Sequence, residues 1–104
     1  MPSSFLYEPQ EDSAMAKVLV SIKIYPSDVD VSLDSLRKMI VEALPNYASV
    51  YGFNEEPIAF GLVALIAHIL LPEDRDGAMD EIEFRLKAIE KISQFETQMV
   101  RRVS

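Results

Sequence analysis

The chain has 104 residues, with no cysteine, no tryptophan, one histidine and three glycines. Without cysteine it can form neither a disulfide framework nor a thiolate metal site, which excludes a stapled secreted fold and fits a reducing cytoplasm. A lone histidine also leaves Ser-His-Asp and Cys-His arrangements without most of their parts. Gly52, Gly61 and Gly77 stand too far apart to make a phosphate-cradling loop. Basic residues are scarce as well: ten Lys and Arg against seventeen Asp and Glu give a net charge of -7. Nucleic-acid binding draws most of its affinity from neutralised phosphates, and only Arg101 and Arg102 cluster, so no direct nucleic-acid partner is expected. The longest apolar run, Ile58 to Leu71, contains His68 and is too short for a membrane span of ~20 residues. The N-terminus lacks the basic start and long apolar core of a signal peptide. The sequence therefore predicts a cytoplasmic protein with no membrane contact.

What is present fits one small globular domain. Residues 1–14 hold two prolines, three serines and three acids without periodicity, and read as a mobile N-terminal tail. Met15 opens a patterned domain spanning 15–104 and could itself be the true start. Val18, Val20, Ile22 and Ile24 alternate with Leu19, Ser21 and Lys23, as in a strand with one buried face. Ser32 stands at a helix N-cap with Asp34 in the first turn. Leu33, Leu36, Ile40, Ala43 and Leu44 share one helical face, and Pro45 ends the helix.

Val50 to Phe53 is a short β-prone piece, and Asn54 to Pro57 follow it as a loop. Gly61 to Leu71 is continuously apolar, as in a central strand covered on both faces. Met79, Ile82, Leu86 and Ile89 mark a second amphipathic helix. Phe95, Thr97, Met99, Arg101 and Val103 then alternate with Glu96, Gln98, Val100 and Arg102 in a last strand. The order β-α-β-β-α-β predicts an α+β, ferredoxin-like sandwich, a four-stranded antiparallel sheet with two helices on one face.

No constellation in this order supports bond chemistry. His68 lies within the apolar strand and reads as a hydrogen-bonded structural residue. The neighbouring acids Glu55-Glu56 and Glu73-Asp74 would point oppositely in a strand, and read as solvated loops. Asp74-Arg75-Asp76-Gly77 lacks the length and closing glutamate of a calcium loop. The third strand lacks the exposed aromatics of an RNA-binding sheet. No catalytic residue, metal site or cofactor is expected.

The stretch Glu55-Glu56-Pro57-Ile58-Ala59-Phe60-Gly61-Leu62-Val63-Ala64-Leu65 stands out. On the residues alone, Pro57 stiffens a loop, Phe60 is a core plug and Gly61 a β-bulge. The stretch also closely resembles the signature of the archaeal elongation factor 1-beta family of guanine-nucleotide exchange domains. The opening strand Ala16 to Pro26, the Asp28-Val29-Asp30 triplet and the Val100-Arg101-Arg102 ending agree with that resemblance, which runs from Met15 to Val103. It implies a factor that binds the GTPase elongation factor 1-alpha and promotes exchange of GDP for GTP during protein synthesis. It further implies that Phe60, with Pro57, Ile58 and Gly61, enters a hydrophobic site on the GTPase. Eukaryotic relatives use a lysine near the C-terminus to disturb the magnesium site. This chain departs there, carrying Arg101 and Arg102 and no lysine after Lys91. The carry-over rests on Arg102, and alternation lets at most one of the two arginines face the partner. Self-association stays open. The competing readings are a regulatory ferredoxin-like module that dimerises through its sheet and a small acylphosphatase-type hydrolase, for which no phosphate loop is visible.

Overall fold

The computed structural model describes residues 17–73 and 75–103. The predicted tail over 1–14 and the Asp74 member of the acidic pair lie outside the described residues. Strand β1 (Lys17–Pro26) buries Val20, Ile22 and Ile24 completely, as its alternation requires. Helix α1 (Leu33–Ala43) starts at Ser32, whose hydroxyl accepts a bond from the Ser35 N–H at 3.3 Å. It buries Leu36 and Ile40 and ends just before Pro45, which cannot continue it.

Strand β2 (Ser49–Pro57), strand β3 (Val63–Pro72), helix α2 (Ala78–Lys87) and strand β4 (Ile92–Val103) follow. The order of elements is β-α-β-β-α-β, and the sheet runs β2-β3-β1-β4 with antiparallel neighbours. Leu36 and Ile40 of α1 join Ile82 and Leu86 of α2 in one core cluster with Val20, Ile22, Ile24, Leu65, Ala67 and Ile69. Both helices therefore cover the same sheet face. This is the ferredoxin-like sandwich.

Three expectations need correction. Strand β2 continues through Asn54, Glu55, Glu56 and Pro57, which pair with Ile66, Leu65, Ala64 and Val63, so the Glu55-Glu56 pair lies in a strand rather than a solvated loop. Strand β3 is buried on its helix side from Leu65 to Leu71, whereas on the open face Ala64 is buried but Ile66, His68 and Leu70 lie only half-buried. Strand β4 does not keep one alternation throughout. Thr97 pairs with Ile22 and Met99 with Ser21, so Gln98 is an extra residue, a β-bulge. Beyond it the faces exchange: Phe95 and Thr97 stand on the helix side, whereas Met99 and Arg101 stand on the open side.

His68 behaves as a structural residue. Its Nε2 lies 2.5 Å from Asn54 Oδ1 and its Nδ1 lies 2.8 Å from Ser21 Oγ. Asn54 Oδ1 only accepts, so Nε2–H donates to it and, in the neutral ring, Nδ1 accepts from the serine hydroxyl. The ring ties β2, β3 and β1 together across the open face.

Candidate partner-binding tip and the opposite end

The link between β2 and β3 is a tight turn. Ile58 N–H donates to the Leu62 carbonyl at 2.9 Å, and Leu62 N–H donates to the Ala59 carbonyl at 3.1 Å. Phe60 and Gly61 sit between them with φ of 59° and 81°. Two positive φ values are what a type I′ turn requires. Glycine takes this conformation freely. In phenylalanine it costs about 1–2 kcal/mol, because Cβ crowds the following carbonyl.

Burial does not offset that strain, since Phe60 is 95% exposed. The core-plug and β-bulge readings of Phe60 and Gly61 are thereby overturned: both residues form the tip of a hairpin. Among the described residues Phe60 alone, other than glycine, has a positive φ. Pro57 and Ile58 form the base of this tip, Pro57 exposed and Ile58 half-buried.

The hairpin is fastened on both faces. Glu55 is ion-paired with Arg37 of α1, which also holds Asp34 at 2.6 Å. Glu56 accepts from Lys23 of β1 at 3.2 Å. That hydrogen bond raises the Lys23 pKa above its ordinary value, outweighing the partial desolvation of the ammonium. Neighbouring glutamates that diverge in a strand are here used separately, one for the helix and one for the sheet.

The β1–α1 loop lies beside the tip. A Cβ built on Gly61 would stand 3.8 Å from Val29 Cγ1. A cavity of about 70 Å³ between them is lined by Pro26, Val31, Leu33 and Val63 as well as Val29 and Gly61. Sequence reasoning missed Val29, 54% exposed. The valine enters that reasoning only as the middle of the Asp28-Val29-Asp30 triplet that agrees with the resemblance, with no role attached.

Arg101 and Arg102 are elsewhere. Arg102 pairs with Val18 and Arg101 with Leu19, whereas the tip lies beyond Pro26. From Val18 to Pro26 is about 26 Å of strand at ~3.3 Å per residue, so the fold does not bring the two sets of predicted site residues together. The arginines also diverge. Arg102 lies on the helix side and donates through Nε to Glu73 at 2.6 Å, whereas Arg101 lies on the open face with no carboxylate partner among the described residues.

A third cluster joins the helices at this far end. Tyr47 donates to Glu81 Oε1 at 2.5 Å, Arg75 stacks 3.9 Å above the Tyr47 ring, and Arg85 binds both Glu81 Oε2 and the Ala43 carbonyl. The bond from Tyr47, followed by that from Arg85, holds the Glu81 carboxyl below its ordinary value. Burial, followed by Glu81, pushes the Tyr47 phenol up. No group of three or more His, Cys, Asp or Glu residues among the described residues is arranged to hold a metal, and no described helix is long and apolar enough to cross a membrane.

Fold and site together define a small ferredoxin-like domain that presents a strained, exposed aromatic at one end of its sheet. The family model described as the EF-1 guanine nucleotide exchange domain matches residues 19–103. The chain belongs to that family, and its role is guanine-nucleotide exchange in translation elongation. Its relatives include the elongation factor 1-beta of Staphylothermus marinus, 40% identical over 86% of this chain and 100% of that protein. Those of Desulfurococcus amylolyticus and Aeropyrum pernix are each 42% identical over 86% of this chain, covering 100% and 99% of their own lengths. Among solved structures, the C-terminal domain of the MgtC protein from Mycobacterium tuberculosis superposes with a TM-score of 0.56. That match covers 86% of this chain and 92% of the other at 16% identity, which is a likeness of fold alone.

Proposed function

We propose that the chain docks on elongation factor 1-alpha in the cytoplasm through the Phe60 turn and accelerates its release of GDP without making or breaking a bond. The observation that carries this reading is Phe60 itself, held at positive φ and 95% exposed. An aromatic kept in a strained turn and out of the core is stabilised by what it enters on a partner. Burying such a side chain contributes about 1.5–3 kcal/mol. The ion pairs of Glu55 and Glu56 hold the turn in place beforehand, so little ordering entropy is lost on docking.

Exchange then follows from linkage. In a GTPase, nucleotide and magnesium order the switch segments. A protein that binds the nucleotide-free form more tightly must weaken nucleotide binding by the same factor. It speeds loss of GDP in either direction, and the excess of GTP sets the outcome. Arg101 or Arg102 at the far end supplies positive charge that could act near the magnesium site, although a guanidinium fork is not equivalent to a lysine ammonium.

The test is release of a fluorescent GDP analogue from elongation factor 1-alpha. Acceleration by substoichiometric amounts of the chain is the expected result. An unchanged release rate from a GTPase shown to bind and hydrolyse nucleotide would refute the proposal.

A further inference from the structure

Phe60 is not the only apolar side chain offered at this end. Val29 stands 54% exposed, and its Cγ1 would lie 3.8 Å from a Cβ placed on Gly61 of the neighbouring turn. Phe60 and Val29 therefore flank one glycine from two different loops, which share a small cavity with Gly61 and Val63 in its wall. An isolated exposed valine needs no explanation, but one set against Gly61, the residue that follows a strained exposed aromatic, extends the same apolar tip.

The charges around the tip divide into two sets. Glu55, Glu56 and Asp34 are ion-paired with Lys23 or Arg37. Asp28 and Asp30, the exposed residues on either side of Val29, have no cationic partner among the described residues. Asp28 does accept a long bond, 3.5 Å, from the Asp30 N–H, and its carbonyl accepts from Val31 at 3.3 Å, so the loop has a defined shape. The Ser27 N–H is tied to the Lys91 carbonyl at 2.7 Å, which fixes the start of the loop against the chain entering β4.

We propose that the Asp28-Val29-Asp30 loop is the second half of the docking tip, and that it selects a partner site in which an apolar cleft is bordered by lysine or arginine side chains. This rests on the exchange reading and specifies its docking surface. Val29 widens the apolar contact beside Phe60. The two carboxylates steer the encounter and face basic side chains at the cleft's edge. Rim charges of this kind act mainly on the association rate and lose their effect as salt rises. They also disfavour acidic clefts of similar shape, which a single exposed aromatic could not distinguish.

The experiment compares the parent chain, the double variant Asp28→Asn with Asp30→Asn, and Val29→Ser, each binding to GDP-loaded and nucleotide-free elongation factor 1-alpha in stopped flow over a range of salt. Asparagine keeps the loop's hydrogen-bonding shape while removing both charges. The double variant is expected to associate roughly three- to tenfold more slowly at low salt, with the difference vanishing at high salt. Val29→Ser is expected to dissociate faster at every salt concentration. Parental association rates and salt slope in the double variant would overturn the charge selection. Unchanged dissociation in Val29→Ser would remove Val29 from the tip. If both variants match a parent that exchanges normally, this inference falls while the exchange function stands; if the parent itself neither binds nor exchanges, both fall.

Discussion

The two ends of the sheet present their exposed groups in opposite ways. At the hairpin end, one large side chain is thrust outward by a turn that strains it, while Arg37 and Lys23 fasten the strand beneath it from both faces. At the C-terminal end, two like charges sit next to each other in sequence but diverge, and one of them is occupied by Glu73. The first arrangement fixes a shape; the second offers charge without a fixed aim. A partner contact built on packing should depend sharply on the first end, and one built on long-range electrostatics should depend gently on the second.

Truncating the aromatic gives the largest expected effect. Phe60→Ala should slow exchange about 30-fold, the equivalent of ~2 kcal/mol of lost anchor contact. Because Phe60 is almost fully exposed in the free chain, and alanine keeps the Cβ that strains the turn, the thermal midpoint should stay level. Circular dichroism melting alongside the release assay separates the two. A variant that melts as the parent does and exchanges as fast would show that the hairpin end is not the anchor.

The arginine end should yield less. Arg101, on the open face and free of carboxylate partners among the described residues, is expected to slow exchange about three- to tenfold when changed to alanine, most strongly at low magnesium. Arg102→Ala should change exchange less than Arg101→Ala, and stability by at most ~1 kcal/mol, the range of an exposed ion pair. Exchange assays across a magnesium series decide between them. The opposite ranking would mean that Arg102 leaves Glu73 when the partner docks.

How much of this could be read in advance depended on whether the controlling contacts are local. The alternation of Val18 to Ile24 and the Ser32 cap are local signals, and both gave the correct element. The bulge at Gln98 carries no glycine or proline to mark it, yet that one extra residue moved Met99 and Arg101 to the other face. Asn54 to Pro57 have poor strand propensity and read as a loop; their pairing with β3 and the distant partners Arg37 and Lys23 hold them in the sheet.

Phe60 shows the limit most clearly. A large aromatic beside glycine in an apolar stretch reads as core, and only the turn geometry puts it in solvent. The family resemblance implied a contact role for that residue, and included the Asp28-Val29-Asp30 triplet beside it without giving it a role. Val29 and Gly61 lie more than thirty positions apart in sequence and meet only because α1 and β2 return the chain to the same end.

The smallest expected effect concerns what holds the far end together. The Glu81 carboxyl lies below its ordinary value of 4.5 because the folded state supplies Tyr47 and Arg85 to its charged form. A depressed carboxylate pKa contributes stability that is fully present above the unfolded value and is lost as pH falls through the folded one. The parent should therefore lose stability as pH drops below about 4.5. Glu81→Gln should start less stable near neutrality and show a shallower acid decline. Tyr47 acts at the other limit, since its raised value makes its contribution complete below 10.0 and lost at higher pH. Hydrogen exchange measured amide by amide through the acid decline would sharpen the comparison of ends. In Glu81→Gln, protection should be weaker than in the parent around Ala43, Tyr47 and Arg85 and unchanged at Ile58 and Leu62 in the turn. Simultaneous loss at both ends would mean that the two networks are not separate supports, and that the stiffness of the Phe60 turn comes from the core beneath it.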